Sequence, residues 1–201
     1  MSLLKAESLG LHYTIRPALQ PFLCEVDLHI EHVEKPEVLL KIALPEAGPI
    51  IFNLQNQPLL PNLEGLVSVA VVETSIDISY RIRSLSSDAL DWFMYPQGDA
   101  SYFHCYGDHL LVCPDLPSAE KVSVTLSWEG WPADWVFGNS FGIGLQEQIV
   151  HKTLDGLLTT VFVGGDFQIF QSSVDPSITL MTRKQFLPFA QQFLEKAEAI
   201  I

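Results

Sequence analysis

The sequence predicts a mainly β fold: an antiparallel β-sandwich followed by a C-terminal α-helix. Three observations carry this expectation. Apolar and polar residues alternate with a period of two in several short segments, clusters of turn-forming residues separate those segments, and the period changes to a helical one only near the C-terminus.

The clearest strands are 22–31, 76–83 and 121–128. In "FLCEVDLHIE", Cys24, Val26, Leu28 and Ile30 alternate with Glu25, Asp27, His29 and Glu31. In "IDISYRIR", Ile76, Ile78, Tyr80 and Ile82 alternate with Asp77, Ser79, Arg81 and Arg83. In "KVSVTLSW", Val122, Val124, Leu126 and Trp128 take the apolar phase. Successive side chains on a strand point to opposite faces, so each of these segments buries one face and wets the other. Val26, Leu28, Ile78, Tyr80, Val124 and Leu126 are the expected core. Further strands are expected at 8–17, 38–44, 66–73, 90–95, 109–113 and 157–170. The breaks between them are rich in Pro, Gly, Asn and Asp: "PEAGP", "QNQPLLPN", "YPQGDAS" and "CPDLPSAE".

From 182 the pattern becomes helical. Phe186, Phe189, Ala190, Phe193, Leu194, Ala197, Ile200 and Ile201 fall on one stripe. Thr182 and Gln185 have the spacing of a capping box, with Met181 and Phe186 as its hydrophobic staple. Pro188 suits a first helical turn and not a second, so a later start near Pro188 is the alternative. The expected organisation is a sandwich over 1–180 and a helix over 181–201 that either packs on the sandwich or opens a second domain. Phe189, Phe193, Ile200 and Ile201 are then candidate interface residues. They would dock a downstream catalytic-like domain or mediate self-association.

Composition narrows the classes of function. The chain has 201 residues, 48% apolar and 17% charged, which fits a globular domain with a substantial core. The net charge of −13 opposes binding to nucleic acid or to anionic lipid. Three cysteines, Cys24, Cys105 and Cys113, do not make a disulfide framework and fit a reducing compartment. Neither a signal peptide nor a membrane-spanning apolar run is apparent, so a cytoplasmic location is expected.

Chemistry-bearing motifs are sparse. "HIEH" (His29 to His32) matches neither zincin order, and on a strand its two histidines would face opposite sides. "HCYGDHLLVC" offers His104, Cys105, Asp108, His109 and Cys113 without C-x-x-C spacing; buried cysteines and a turn at Gly107 are the expectation there. Ser140 lacks a nucleophile elbow, and the glycine-rich stretch around it lacks the order of a phosphate loop. No catalytic, cofactor or metal residues are assigned. The remaining candidates are Trp131 and Trp135 in "WEGWPADW", which either close one end of the sandwich or present rings to a sugar or a protein partner.

Three segments together carry a resemblance: "FHCYGDHLLVCPDL" (103–116), "VTLSWEGWPADWVFGNSFGIG" (124–144) and "LLTTVFVGGDFQIFQ" (157–171). They resemble the N-terminal region of the glycyl-aminopeptidase-like, PDZ-containing gluzincin metallopeptidases, in which a helix then leads into a zinc domain. The match covers about the latter half of the chain, the first half agreeing only in pattern. The H-E-x-x-H helix of that family is absent here, so no catalytic role carries over. The resemblance implies a non-catalytic accessory or scaffold domain of a metallopeptidase-like protein, forming a domain interface or one wall of a substrate cleft. The alternative is a stand-alone carbohydrate- or protein-binding module that uses Trp131 and Trp135.

Overall fold

The computed structural model describes residues 9–19, 22–42, 50–52, 57–83, 96–143, 146–175, 178–183 and 186–198. Its strands are β1 (Gly10–Pro17), β2 (Phe22–Glu31), β3 (Glu37–Lys41), β4 (Ile50–Phe52), β5 (Pro58–Leu59), β6 (Leu66–Ala70), β7 (Ile76–Arg83), β8 (Gln97–Gly98) and β9 (Tyr102–Tyr106). After the short helix α1 (Gly107–Leu110) come β10 (Cys113–Pro114), β11 (Lys121–Trp128), β12 (Val136–Asn139), β13 (Gly142–Ile143) and β14 (Glu147–Thr153). Helix α2 (Leu154–Leu158), β15 (Val161–Gly165), β16 (Phe167–Gln171), β17 (Thr179–Arg183) and α3 (Leu187–Glu198) complete the order. The fold is mainly β with a C-terminal helix, as the alternation predicts.

The largest sheet runs β14-β11-β1-β2-β7-β4-β5, a second runs β13-β12-β15-β9-β8, a third β10-β3-β6, and β16 pairs with β17. The pairings are antiparallel except β1 with β11, which lie parallel with Leu11 opposite Val124 and Tyr13 opposite Leu126. A parallel pair needs a long crossover, and here everything from β2 to β10 lies between the two strands.

One core unites the three larger sheets. Leu11, Tyr13, Ile15, Val26, Leu28, Ile30, Ile78, Tyr80, Val124 and Leu126 from the large sheet pack with Leu40 and Val67 of the third sheet and Phe103, Phe137 and Phe162 of the second. All six core residues read from the sequence are buried. Burying such a side chain stabilises by roughly 1.5–3 kcal/mol before entropy is subtracted.

The opposite face of the large sheet is a polar ladder in strict register. Arg16, Glu25 and Arg81 lie across β1, β2 and β7, as do Thr14, Asp27 and Ser79, and His12, His29 and Asp77. Arg81 Nε donates to Glu25 at 2.9 Å, Arg16 pairs with Asp27 and Glu129, and Ser79 donates to Asp27 at 2.6 Å. These half-exposed pairs are worth about 0–1 kcal/mol each. Their main effect is on register, because a one-residue slip would bury this whole row.

Four expectations need correction. Residues 109–113 are not a strand: Gly107–Leu110 is helical and only Cys113–Pro114 pairs, with β3. Two buried tyrosines explain this. Tyr80 Oη donates to Leu110 O at 2.9 Å and accepts from Val112 N at 3.2 Å, while Tyr13 Oη donates to Val112 O at 2.9 Å. The backbone groups a strand would have paired are held by side chains instead. Residues 157–170 are not one strand either. Thr153 caps α2 through Gly156 N at 3.2 Å, and β15 and β16 follow on either side of Asp166. The capping box at Thr182 does not form, because Thr182 lies in β17 and the helix begins at Leu187. Pro188 thus occupies the first turn, where a proline costs no hydrogen bond. The fourth correction concerns His29 and His32 and is given below. The expected strand at 90–95 and the end of the one at 38–44 lie outside the described residues.

Candidate functional site

Trp128 ends β11 on the buried phase of its alternation, 6% exposed, and its ring stacks on Phe137 of β12 with centroids 4.6 Å apart. The chain then turns at Gly130, whose φ of +71° lies in the left-handed region open to glycine. The turn brings Trp131 back over the sheet. Its Nε1 donates to Ile15 O at 3.0 Å and its ring lies 5.1 Å from Phe103. Trp135 stacks on Trp131 at 5.0 Å and 27°. Both rings are half-buried and packed against the core. Gly164 of β15 leaves room for this stack: a Cβ there would stand 2.4 Å from Phe103 and 2.8 Å from Phe137. The segment 128–139 is therefore a folded wall at one end of the sandwich. Ser140 belongs to the same wall, its Oγ 3.1 Å from the Thr160 hydroxyl.

The other singled-out side chains are dispersed. His104 lies on β9, stacked on Tyr102. His109 lies on α1, and Cys113 on β10 with its Sγ 3.3 Å from Tyr13 Oη. Cys24, Cys105 and Cys113 are free and buried. Burial pushes all three thiols up, Cys113 to about 12. A thiol held protonated is a small apolar side chain, not a nucleophile or a ready metal ligand.

His29 and His32 do not face opposite sides of a strand. β2 ends at Glu31, and His32 follows with φ of 60°. The left-handed turn swings His32 back to within 4.0 Å of the Glu31 carboxylate. His29 Nε2 reaches the same carboxylate at 3.4 Å and His12 Nε2 at 3.2 Å, while His29 Nδ1 lies 2.7 Å from Asp77. The hydrogen bond from His12, with the positive potential of the neighbouring imidazoles, holds the Glu31 carboxyl below its ordinary range. Among the described residues no group of three or more His, Cys, Asp or Glu is disposed to hold a metal ion.

Helix α3 divides its apolar stripe. Ala190 and Leu194 are buried at 1% and 7%, toward the side of β17. Phe189 and Phe193 of α3, with Phe186 one residue before it, are 47–53% exposed. They form a row of aromatic rings open to solvent beside the docked seam. Ile200 and Ile201 lie outside the described residues. Among the described residues no helix is long and apolar enough to cross a membrane.

Sequence reasoning passed over the hydroxyls of Tyr13 and Tyr80. Their place on the buried phase was a usable signal, since a buried tyrosine finds a partner for its hydroxyl. Which partner it finds, across about a hundred residues for Tyr13, is settled only by the fold.

No family model and no curated protein matches this chain. Among solved structures, it is similar to an aminopeptidase N family protein from Idiomarina loihiensis, with a TM-score of 0.60 and 13% identity over 81% of this chain. A second is the M1 zinc metallopeptidase from Deinococcus radiodurans, with a TM-score of 0.43 and 15% identity over 88% of this chain. The chain spans 30% and 46% of the lengths of these two proteins. What the chain shares with the first of these is the fold of less than a third of its length.

Proposed function

We propose that this chain is a non-catalytic scaffold domain of a metallopeptidase-like protein, and that the aromatic row on α3 is the face against which a catalytic-like domain packs. The observation that carries the reading is the split helix. Ala190 and Leu194 already dock α3, yet three phenylalanines beside them stay about half exposed. A folded domain gains by covering such rings, whereas isolated surface apolar residues need no partner. The fold likeness to part of an aminopeptidase N family protein supports the same reading, as does the absence of an H-E-x-x-H sequence. The working division is a sandwich ending at β17 and a helical segment from Leu187.

With no second domain in the tube, a second copy of the chain is the available cover for the row. Sedimentation velocity across a concentration series tests this. The chain is expected to self-associate, and the double variant Phe189→Ser/Phe193→Ser to sediment as a monomer at every concentration. Equal sedimentation of the two proteins contradicts the docking face.

A further inference from the structure

A groove of about 460 Å³ opens where the third sheet meets the two short helices. Its floor is apolar, made by Leu111, Cys113 and Leu154, all nearly fully buried. The frame around it is fixed by backbone. Gly107 N donates to Thr160 O at 2.7 Å, tying α1 to the end of α2, and Asp155 N donates to Ser118 O at 3.0 Å. Asp115 N donates to Leu39 O at 2.7 Å, tying the 113–116 strip to β3. The Cβ of any residue replacing Gly107 would stand 2.3 Å from Leu157 O, so only glycine lets the two helices approach this closely. The volume lies in the range of small-molecule sites, roughly 300–1,000 Å³.

The charged residues of the groove divide by sign. Lys41 of β3, the cross-strand partner of Cys113, lines the rim on the sheet side. Asp108 of α1 and Asp155 of α2 line the rim on the helical side, and all three charged residues are exposed. An apolar trough with carboxylates on its helical side and an ammonium on its sheet side complements a molecule with an apolar body, a protonated amine and a carboxylate.

From this complementarity we infer that the groove binds a short apolar peptide, its free amine toward Asp108 and Asp155 and its carboxylate toward Lys41. The inference is independent of the docking face on α3. Calorimetric titration with L-leucyl-L-leucine, its N-acetyl derivative and its C-terminal amide tests it on the intact chain. Saturable one-to-one binding of the free dipeptide is expected, weakened about tenfold or more by N-acetylation or by Asp155→Asn. Lys41→Ala is expected to weaken the free acid and to leave the amide unchanged. Ser118→Trp, which fills the groove from its exposed rim without touching the core, abolishes binding. No saturation at millimolar peptide overturns the inference. So does equal binding of the free and N-acetylated peptides, or binding that survives Ser118→Trp.

Discussion

At the scale of single residues, two hydroxyls shape the local structure. Tyr80 satisfies both a carbonyl and an amide of the 110–112 segment, and all three groups are buried. Tyr80→Phe keeps the ring and orphans both backbone groups. An orphaned buried donor or acceptor costs about 1–3 kcal/mol, so the variant is expected to melt several degrees lower with its β spectrum intact. An unchanged melting temperature refutes the anchoring role. The same burial sets a pH dependence. Desolvation raises Tyr13 and Tyr80 above the ordinary tyrosine value of 10.0 and Cys105 and Cys113 above the ordinary thiol value of 9.0. A raised folded pKa favours the neutral, folded form. Its contribution is full below the unfolded value and is lost as pH climbs past it toward the folded value. Urea midpoints are therefore expected to be level from pH 7 to about 9 and to fall steeply above that. A level midpoint at pH 11 contradicts this. Tyr80's place in the core was legible in the period-two pattern of 76–83. Its hydrogen bonds were not, because they join residues some thirty positions apart.

At the scale of elements, the strands with one wet face read clearly and the segments held by side chains did not. β2, β7 and β11 alternate because each has a polar row outside and the shared core inside. Residues 109–113 are as apolar as a strand, but their polar backbone groups are met by Tyr13 and Tyr80. No sequence window contains that competition. "HIEH" failed for a related reason: a left-handed turn at His32 breaks the alternation, and alternation was the only rule available. For α3, periodicity located the stripe and could not say which part of it docks. Leu194 is buried while Phe189 and Phe193 are about half exposed. Leu194→Ala is accordingly expected to cost about 2–5 kcal/mol. Phe189→Ser/Phe193→Ser, in a monomeric solution, is expected to shift the melting temperature far less. If the phenylalanine pair proves the more damaging to the monomer, the assignment of the two faces of α3 is reversed.

For the whole molecule, fold class followed from pattern but architecture did not. Alternation implies antiparallel neighbours, and most pairs obey it. The parallel β1–β11 pair, separated by more than a hundred residues, has no local signature. The tryptophan-rich segment behaves likewise. Its composition drew notice, but the role of Trp131 as a plug held to Ile15 and Phe103 depends on strands from three regions of the chain. Together these features describe a well-packed core with a groove on one side and a helix that carries exposed phenylalanines. The most direct test of the non-catalytic scaffold reading is an aminopeptidase assay. The purified chain, supplied with equimolar zinc, is incubated with a panel of aminoacyl-4-nitroanilides and its bound metal is counted. No release of nitroaniline above buffer and no tightly held zinc are expected. Turnover that rises with zinc occupancy, and is lost with a chelator, would contradict it.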